Sequence, residues 1–510
     1  MKQLDLSLYL VTDSGMLPPG KTLPQVVDEA IQGGVTVVQL REKSADTGNF
    51  IATARLVQAV TRRANVPLLI NDRLDVALAI DADGVHIGQD DIPLEEARSL
   101  LGPDKIIGVS VQTRKEAEDA VAGGADYLGI GTCYSTTTKQ VKEGPQGPAG
   151  IRDVWERALE ASSHTIRAVT IGGINQFNAA HVMNYSAAFD GKVPLNGIAV
   201  VSAIMASPTP RLAAQELKRQ LSTSSSLLEL RPHRQLEQVK QLATEIFAKL
   251  RSTTPLVQHI TNMVVINDCA NACLALGGSP VMSSESEEQA DLSAAVSSLV
   301  VNTGTLTSAQ IEGMRSAMKH ANLHNTPITL DPVAVGATGY RSQIVSQLLC
   351  DFRVSVIKGN AGEIGKLAGS KEVQMRGVDA VGSGFACPEK IAQQVALRHR
   401  CVVVMTGAED YVSDGINTFV VQNGHKMQGQ ITGSGCMVGT AIGTFMHAAL
   451  ACKAPLVGAL VGIVAINLAA EHAARRPDVR GPGTFRAAFI DEMHNLTLEQ
   501  FQAEMKIKQL

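Results

Sequence analysis

The sequence predicts an α/β chain in two parts, a closed (β/α)8 barrel followed by an open α/β sheet. Three observations carry that expectation. The chain has 510 residues, enough for two large α/β domains. Aromatic residues are scarce at 4% while Gly, Ala, Val and Ile are plentiful, the balance of parallel strands buried on both faces. The rhythm also changes part-way. Short apolar runs recur evenly at first, then give way to longer helical patterns with fewer, glycine-flanked runs.

The first rhythm has eight beats. They are "LYLVT" from Leu8, "VTVVQL" from Val35, "PLLI" from Pro67, "GVHIG" from Gly84, "IIGVS" from Ile106, "YLGIG" from Tyr127, "RAVTIGG" from Arg167 and "GIAVVSA" from Gly197. Each is followed by polar residues and a helical pattern. Eight βα units in so short a span favour closure over a doubly wound open sheet. The connection "MNYSAAFDGKVPLNG" before the last run is long and reads as a surface insertion.

A closed parallel barrel carries its chemistry where the strands end. The residues there are Asp13, then Gln39, Arg41 and Lys43, Asn71 and Asp72, Gln89 and Asp91, Ser110, the "YSTTTK" loop, Gly172 and Gly173, and Ser202. Alternation along an extended segment puts Gln39, Arg41 and Lys43 on one side. Arg41 can grip a phosphate with two parallel hydrogen bonds, and Lys43 adds a point charge. Asp72 and Asp91 end neighbouring strands. Two carboxylates facing a phosphate share Mg²⁺, a general acid/base pair being the rival role. "TIGGI" and "VVSAI" end the last two strands and offer backbone N–H groups for a second, milder anion site.

Ser and Thr cluster at residues 222–226 and Pro232 follows, so 221–235 reads as a linker between domains at 1–220 and 236–510. Beyond it, "SSLVVNTGTL", "TPITLDPVAVGAT", "VSVIKGNAGEIGKLAG", "CVVVMTGAEDYVSDG" and "ITGSGCMVGTAIG" each read strand, Gly-rich loop, helix. These are too few for a second barrel, and an open sheet binds ligands at its strand ends. No GxxxxGK[ST] loop occurs, so a nucleotide would use other loops. In "GSGC" the glycines let N–H groups converge at a helix start, a place for a transferring phosphoryl group. Cys436 sits there, where thiol pKa values tend to fall. "EIFAKLRSTT" from Glu245 reads as a solvated helix face, and His259 as a structural histidine, with a ligand contact as the rival reading. Asp331 reads equally as a loop cap or a metal contact.

A net charge of −4 argues against nucleic acid as a partner. The eight cysteines are scattered, and Cys269 and Cys273 have no second pair at zinc spacing. Without a secretory pattern at the start, they read as reduced thiols of a cytoplasmic protein. The most apolar stretch, from Leu456, meets Asn467 and Glu471 too soon to span a bilayer and reads as a core helix, so no membrane is implied.

Two resemblances sharpen these expectations. "YLVTD", "QLREK", "INDR", "GVHIGQDD", "IGVS", "GTCYSTTTK", "IGGI" and "VVSAI", in that order, resemble thiamine-phosphate synthase, a TIM-barrel family, over nearly all of 1–220. The resemblance implies coupling of hydroxymethylpyrimidine diphosphate to a thiazole phosphate with release of pyrophosphate. It implies that Gln39, Arg41, Lys43, Asn71, Ser110 and Lys139 hold the pyrimidine diphosphate. Asp72 and Asp91 would ligate Mg²⁺, and Thr136, Thr138, Gly173, Val201 and Ser202 would hold the thiazole phosphate.

"TPLVQHITNMVVINDCANACLALGGSPVMS", "NTGTL", "DPVAVGATGYR", "IKGNAGEI", "TGAEDYVSDG" and "TGSGCMVGT" resemble hydroxyethylthiazole kinase, of the ribokinase-like group, over about 250–480. That implies ATP as co-substrate, with Met282 lining the thiazole pocket and Gly433 touching the thiazole. Arg341 and Thr406 would contact ATP, and Asn360 and Glu363 would organise Mg²⁺ and phosphate. Cys436 stands where most of the wider group has an aspartate base, so it is either the base or a positioning group. The expected whole is a fusion of the two enzymes, a homo-oligomer, trimer or hexamer, acting on small molecules. A sensor with a decayed site and an enzyme pair for another phosphorylated heterocycle are the alternatives.

Overall fold

The computed structural model describes residues 4–136, 144–228, 232–370, 374–376, 379–381 and 385–510. The chain divides into two compact units, Met1–Leu228 and Glu229–Leu510.

In the first unit every expected run is a strand: β1 (Leu8–Val11), β2 (Val37–Leu40), β3 (Leu68–Asn71), β4 (Gly84–Ile87), β5 (Ile106–Val111), β6 (Tyr127–Gly131), β7 (Ala168–Ile171) and β8 (Gly197–Val200). They form a closed parallel barrel in chain order, β1 meeting β8 through Leu8↔Ile198, Tyr9↔Ala199 and Leu10↔Val200. Alternate residues divide between two cores. Tyr9, Val11, Val37, Leu69, Tyr127 and Val169 fill the interior. Leu8, Leu10, Val38, Leu40, Leu68 and Ile70 pack outward, against the ring of helices. Burial on both faces is why these strands read as continuous apolar runs rather than alternating ones.

The division between the units, after Leu228, falls within the expected 221–235, but the Ser/Thr cluster itself continues the helix Pro210–Leu228. Serine costs a helix roughly half a kcal/mol per residue, too little to stop one already nucleated. The connection before β8 is also less superficial than expected. Asn184, Tyr185, Ser186, Ala187 and Ala188 are buried, and only the part from Phe189 onward reaches the surface.

The second unit is built on a nine-stranded sheet. Its strands are β9 (Leu256–Ile260), β10 (Ser279–Val281), β11 (Ser298–Asn302), β12 (Ile328–Asp331), β13 (Val356–Asn360), β16 (Val402–Thr406), β17 (Asp410–Ser413), β18 (Thr418–Val421) and β19 (Ile507–Gln509), with a separate hairpin of β14 (Gln374–Arg376) and β15 (Asp379–Val381). The order is β10-β9-β11-β12-β13-β16-β17-β18-β19. The first six run parallel and the last three return antiparallel. "CVVVMTGAEDYVSDG" is therefore a strand pair and not strand-loop-helix. Gly407 N donates to Asp410 Oδ1 at 3.0 Å and closes the turn. No strand precedes "GSGC" either; Lys426–Gln430 is a short 3-10 turn, since Ile431 alone supplies no apolar run.

Two helices, Ser434–Ala451 and Pro455–Arg475, are long and apolar enough to cross a membrane by composition, but they are 67% and 94% buried within this unit. The second is the core helix expected from Leu456. The helix Leu236–Thr253 is not a plain solvated face. Ile246, Phe247 and Leu250 are buried, and Phe247 stacks on Phe501 with ring centroids 4.3 Å apart.

Candidate active sites

The parallel closure puts the ends of β1 to β8 on one rim, so the residues expected at strand ends are gathered there. Gln39 continues the inward series of β2 and is 4% exposed. Arg41 Nη1 lies 3.3 Å from Asp13 Oδ2, and Arg41 N donates to Thr12 Oγ1 at 3.0 Å. Lys43 is exposed two residues on. Asn71 ends β3, and Asp72 follows with φ 60°, its N–H donating to His86 O at 2.9 Å. Asp91 closes the turn after β4, its Oδ2 accepting from Gly88 N at 2.6 Å. Gln89 reaches across to Ser110 O at 2.7 Å. Gly173, at φ 63°, packs on Tyr134 and Ser135 of the loop after β6. Val201 and Ser202 begin the short helix after β8. Thr136 is in the loop after β6; Thr138 and Lys139 lie outside the described residues.

Asp72 and Asp91 supply two hard carboxylates from adjacent strand ends. That donor set suits Mg²⁺, which keeps several waters and completes its shell on phosphate. Among the described residues no group of three or more His, Cys, Asp or Glu forms a protein cage for a metal.

Sequence reasoning missed what lies beneath this rim. Tyr9, Tyr127 and His86 are buried inside the barrel and link Gln39 to Ser110. Burial raises the pKa of both tyrosines. The available clue was an inward-facing tyrosine in a chain poor in aromatics.

In the second unit the site is a row across four neighbouring strands. Thr261, just past β9, stands beside Asn302 of β11, Asp331 of β12 and Lys358 of β13, as the strand registers require. Asn302 Nδ2 donates to Asp331 Oδ2 at 3.0 Å. Lys358 Nζ lies 3.2 Å from Asp331 Oδ2, with side-chain exposures of 5% and 1%. Burial pushes the Asp331 pKa up, with the Lys358 charge pulling against it. Burial opposes the Lys358 charge, but Asp331 and Glu363 outweigh it and raise its pKa. Asn262, Asn302 and Lys358 were not singled out from sequence, although a polar residue closing each apolar run ("VVN", "VIK") could have marked two of them.

The helix Ser434–Ala451 starts above this row. Gly433, its N-cap, has φ 88°, and a Cβ there would sit 2.5 Å from Val265 Cγ1, so only glycine fits. A Cβ on Gly435 would be 3.4 Å from Lys358 Nζ, which places the ammonium directly under the helix start. Cys436 Sγ accepts from Asn302 Nδ2 at 3.3 Å and Asn262 Nδ2 at 3.5 Å. Its pKa is not lowered as a helix start suggests. Burial, then the Asp331 charge, push it up to about 12.

The remaining expected residues border the row. Arg341 Nη1 donates to Thr303 O at 2.6 Å and its Nη2 to Gly304 O at 3.1 Å, pinning the loop after β11. Glu363 accepts from Ala334 N at 2.9 Å and Asn360 N at 2.8 Å, so both its oxygens serve backbone groups. Burial and then Asp331 raise its pKa to about 7. Asn360 caps the helix Ala361–Ala368, and Thr406 ends β16 beside it. Met282 follows β10, half-buried.

Two family models match the chain: thiamine monophosphate synthase over residues 8–204 and the hydroxyethylthiazole kinase family over residues 247–499. The probable thiamine biosynthetic bifunctional enzyme of Schizosaccharomyces pombe is 42% identical over 517 residues, covering 99% of this chain and 97% of the relative. The chain belongs to the thiamine biosynthetic bifunctional enzymes. The thiamine biosynthetic bifunctional enzyme of Saccharomyces cerevisiae is 38% identical, covering 97% of this chain and 96% of its own. A hydroxyethylthiazole kinase from a Thermoanaerobacter species is 42% identical, over 52% of this chain and 98% of its own. This bifunctional enzyme thus carries a thiamine-phosphate synthase domain in the barrel and a thiazole kinase domain in the open sheet.

Proposed function

We propose that the second unit phosphorylates 4-methyl-5-(2-hydroxyethyl)thiazole with ATP, and that the barrel joins the product to hydroxymethylpyrimidine diphosphate, giving thiamine phosphate and pyrophosphate. One observation supports both halves: positive charge and N–H donors are collected where phosphorus oxygens would lie, at Arg41 and Lys43 on the rim and at Lys358 under a helix start.

In the barrel the bond to the diphosphate breaks at the carbon attached to an electron-rich aminopyrimidine. The ring shares the positive charge left there, and the thiazole nitrogen closes the new C–N bond. No protein nucleophile is needed. The chain neutralises the departing diphosphate with Arg41 and Lys43, assisted by Gln39, Asn71, Ser110 and Lys139, and holds the second ring in line. Thr136, Thr138, Gly173, Val201 and Ser202 take the thiazole phosphate. Asp72 and Asp91 would hold Mg²⁺, which adds charge neutralisation on the diphosphate when bound.

In the kinase unit Lys358 and the N–H groups at the start of Ser434–Ala451 stabilise the charge on the transferring phosphoryl group. Met282 and Gly433 shape the thiazole pocket. Arg341, Asn360, Glu363 and Thr406 form the ATP side, Arg341 and Glu363 by fixing the loops they bind; Asn360 and Glu363 would organise Mg²⁺, which adds charge neutralisation on the phosphates when bound. Cys436 remains a thiol and positions the thiazole hydroxyl.

We further propose a cytoplasmic homo-oligomer, trimer or hexamer. Met263 and Val264, beside Asn262, are 70% and 74% exposed, apolar surface that assembly would cover. Sedimentation as a monomer would refute that part. For the reaction, the intact chain is given thiazole alcohol, ATP, Mg²⁺ and pyrimidine diphosphate. Thiamine phosphate is the expected product, and absence of any product holding both rings defeats the reading.

A further inference from the structure

Five side chains from five strands make one unbroken hydrogen-bonded chain through the barrel interior. Gln39 Nε2 donates to Tyr9 OH at 2.8 Å, and Tyr9 OH lies 2.7 Å from Tyr127 OH. Tyr127 OH lies 2.8 Å from His86 Nδ1, and His86 Nε2 lies 2.9 Å from Ser110 Oγ. Glycines open the space for it. A Cβ on Gly108 would overlap the Tyr127 ring, and one on Gly129 would sit 3.0 Å from His86 Cε1.

The direction of every link follows from the first. An amide NH₂ only donates, so the Tyr9 oxygen accepts from Gln39 and gives its own proton to Tyr127. Tyr127 gives its proton to His86 Nδ1. The imidazole then carries its hydrogen on Nε2 and donates it to Ser110 Oγ. The two ends are left opposite in character. Gln39 keeps Oε1 as an acceptor and Ser110 keeps its O–H as a donor, and neither atom has another partner among the described residues. Turning the Gln39 amide over would reverse all four links and invert both ends.

We propose that this relay sets the orientation of the reactant in the barrel: Gln39 Oε1 receives an amino group, Ser110 O–H is given to an anionic oxygen, and Tyr9, Tyr127 and His86 are positioning residues acting through those two. The ligand chemistry this selects is an amino-substituted heterocycle bearing a phosphate or diphosphate. It rests on the reading of this rim as the pyrimidine diphosphate site. The reversed relay would offer that ligand a donor facing a donor.

The test uses the intact chain with ¹⁵N-labelled histidine, the His86 resonances being identified by their loss in His86→Asn. The expected neutral form carries hydrogen on Nε2 with Nδ1 bare; hydrogen on Nδ1 overturns the proposal. Tyr127→Phe removes the donor to Nδ1 and is expected to shift His86 toward the other tautomer. It should also raise KM for the pyrimidine diphosphate roughly tenfold, with kcat little changed and kinase activity intact. A fall in kcat alone, with KM and tautomer unmoved, overturns it. Trp155, the one tryptophan, lies in the barrel core and reports by fluorescence whether that unit is folded. Should Tyr127→Phe unfold it, Tyr9→Phe breaks the chain one link away: Tyr127 still donates to His86 Nδ1, so the tautomer should hold while KM for the pyrimidine diphosphate rises, and an unchanged KM overturns the proposal. A wild-type barrel that makes no thiamine phosphate would refute the pyrimidine reading, and the His86 tautomer would then decide the relay by itself.

Discussion

The two units handle phosphate charge in different places. In the barrel the charged groups stand past the strand ends: the Arg41–Asp13 pair is 12% and 25% exposed, and Lys43 is in the open. In the kinase unit the charges stand on the strands themselves, under a helix, with Lys358 and Asp331 at 5% and 1%. A rim of exposed groups contributes to binding a mobile dianion and little to folding. A buried ion pair is bound up with the fold, because removing one partner strands the other without solvent. Function and stability should therefore separate in the barrel and travel together in the kinase.

The sharpest test of that separation is Asp72→Asn. Asp72 holds φ 60°, a conformation asparagine also tolerates, so the backbone should survive the change. Coupling is expected to fall by about 10³-fold or more, while thermal stability and thiazole phosphorylation stay at wild-type values. Equal loss of both activities would mean the units are not independent. The converse is Lys358→Met. It leaves Asp331 buried without its counter-charge and should destabilise the kinase unit by about 3–5 kcal/mol in denaturant titration, with kinase activity lost. Coupling from supplied thiazole phosphate should persist. Adding Asp331→Asn should restore much of the stability and none of the phosphorylation.

A smaller effect separates burial from chemistry. His259 of β9 is 1% exposed and its pKa is pushed down to about 4 by burial. The unfolded chain takes up its proton near pH 6.5, so stability is fully present above that pH and is lost as pH falls toward 4. The share is on the order of 3 kcal/mol. Glu363 and Asp410, both raised by burial, run the other way over part of this range. The difference between His259→Leu and wild type therefore carries the test. The variant should lose less stability between pH 6.5 and 4.5, and an identical slope would show that His259 is solvated.

The same contrast explains what could be read from sequence. The barrel was legible because each strand contributes one apolar run and one polar end, so that run positions locate both fold and rim; Gln39, Arg41, Asn71, Asp72 and Ser110 follow from that rule. Tyr9, His86 and Tyr127 escaped it because they sit inside strands, where a polar atom is visible only through its partner on another strand. The kinase row was legible only in part. Asp331 stood out at the end of its run, but Asn302 ends a separate strand and Lys358 is the third residue of another, and their meeting depends on registers that no local pattern displays. Local rules also missed the helical conformation of residues 222–226, where helix propagation prevailed, and the strand pair at β17, where a turn closed by Asp410 made a hairpin.

The smallest expected effect bears on Cys436. A helix start lowers a thiol pKa when the thiol is exposed to the helix field and to solvent. Here Asp331 adds a negative charge nearby, and burial removes the water that would stabilise a thiolate, so the group rests as a neutral thiol near pH 7. A general base must be deprotonated before it acts, and a thiol with a pKa of about 12 is almost never so. Cys436→Ala should then lower kinase kcat by less than about tenfold, the scale of one lost positioning contact. The pH profile below pH 9 should keep its shape. A fall of 10²-fold or more would return the base role to Cys436. It would also require that bound substrate or ATP overturns the electrostatics of the buried row, an effect the exposed rim of the barrel is not built to show.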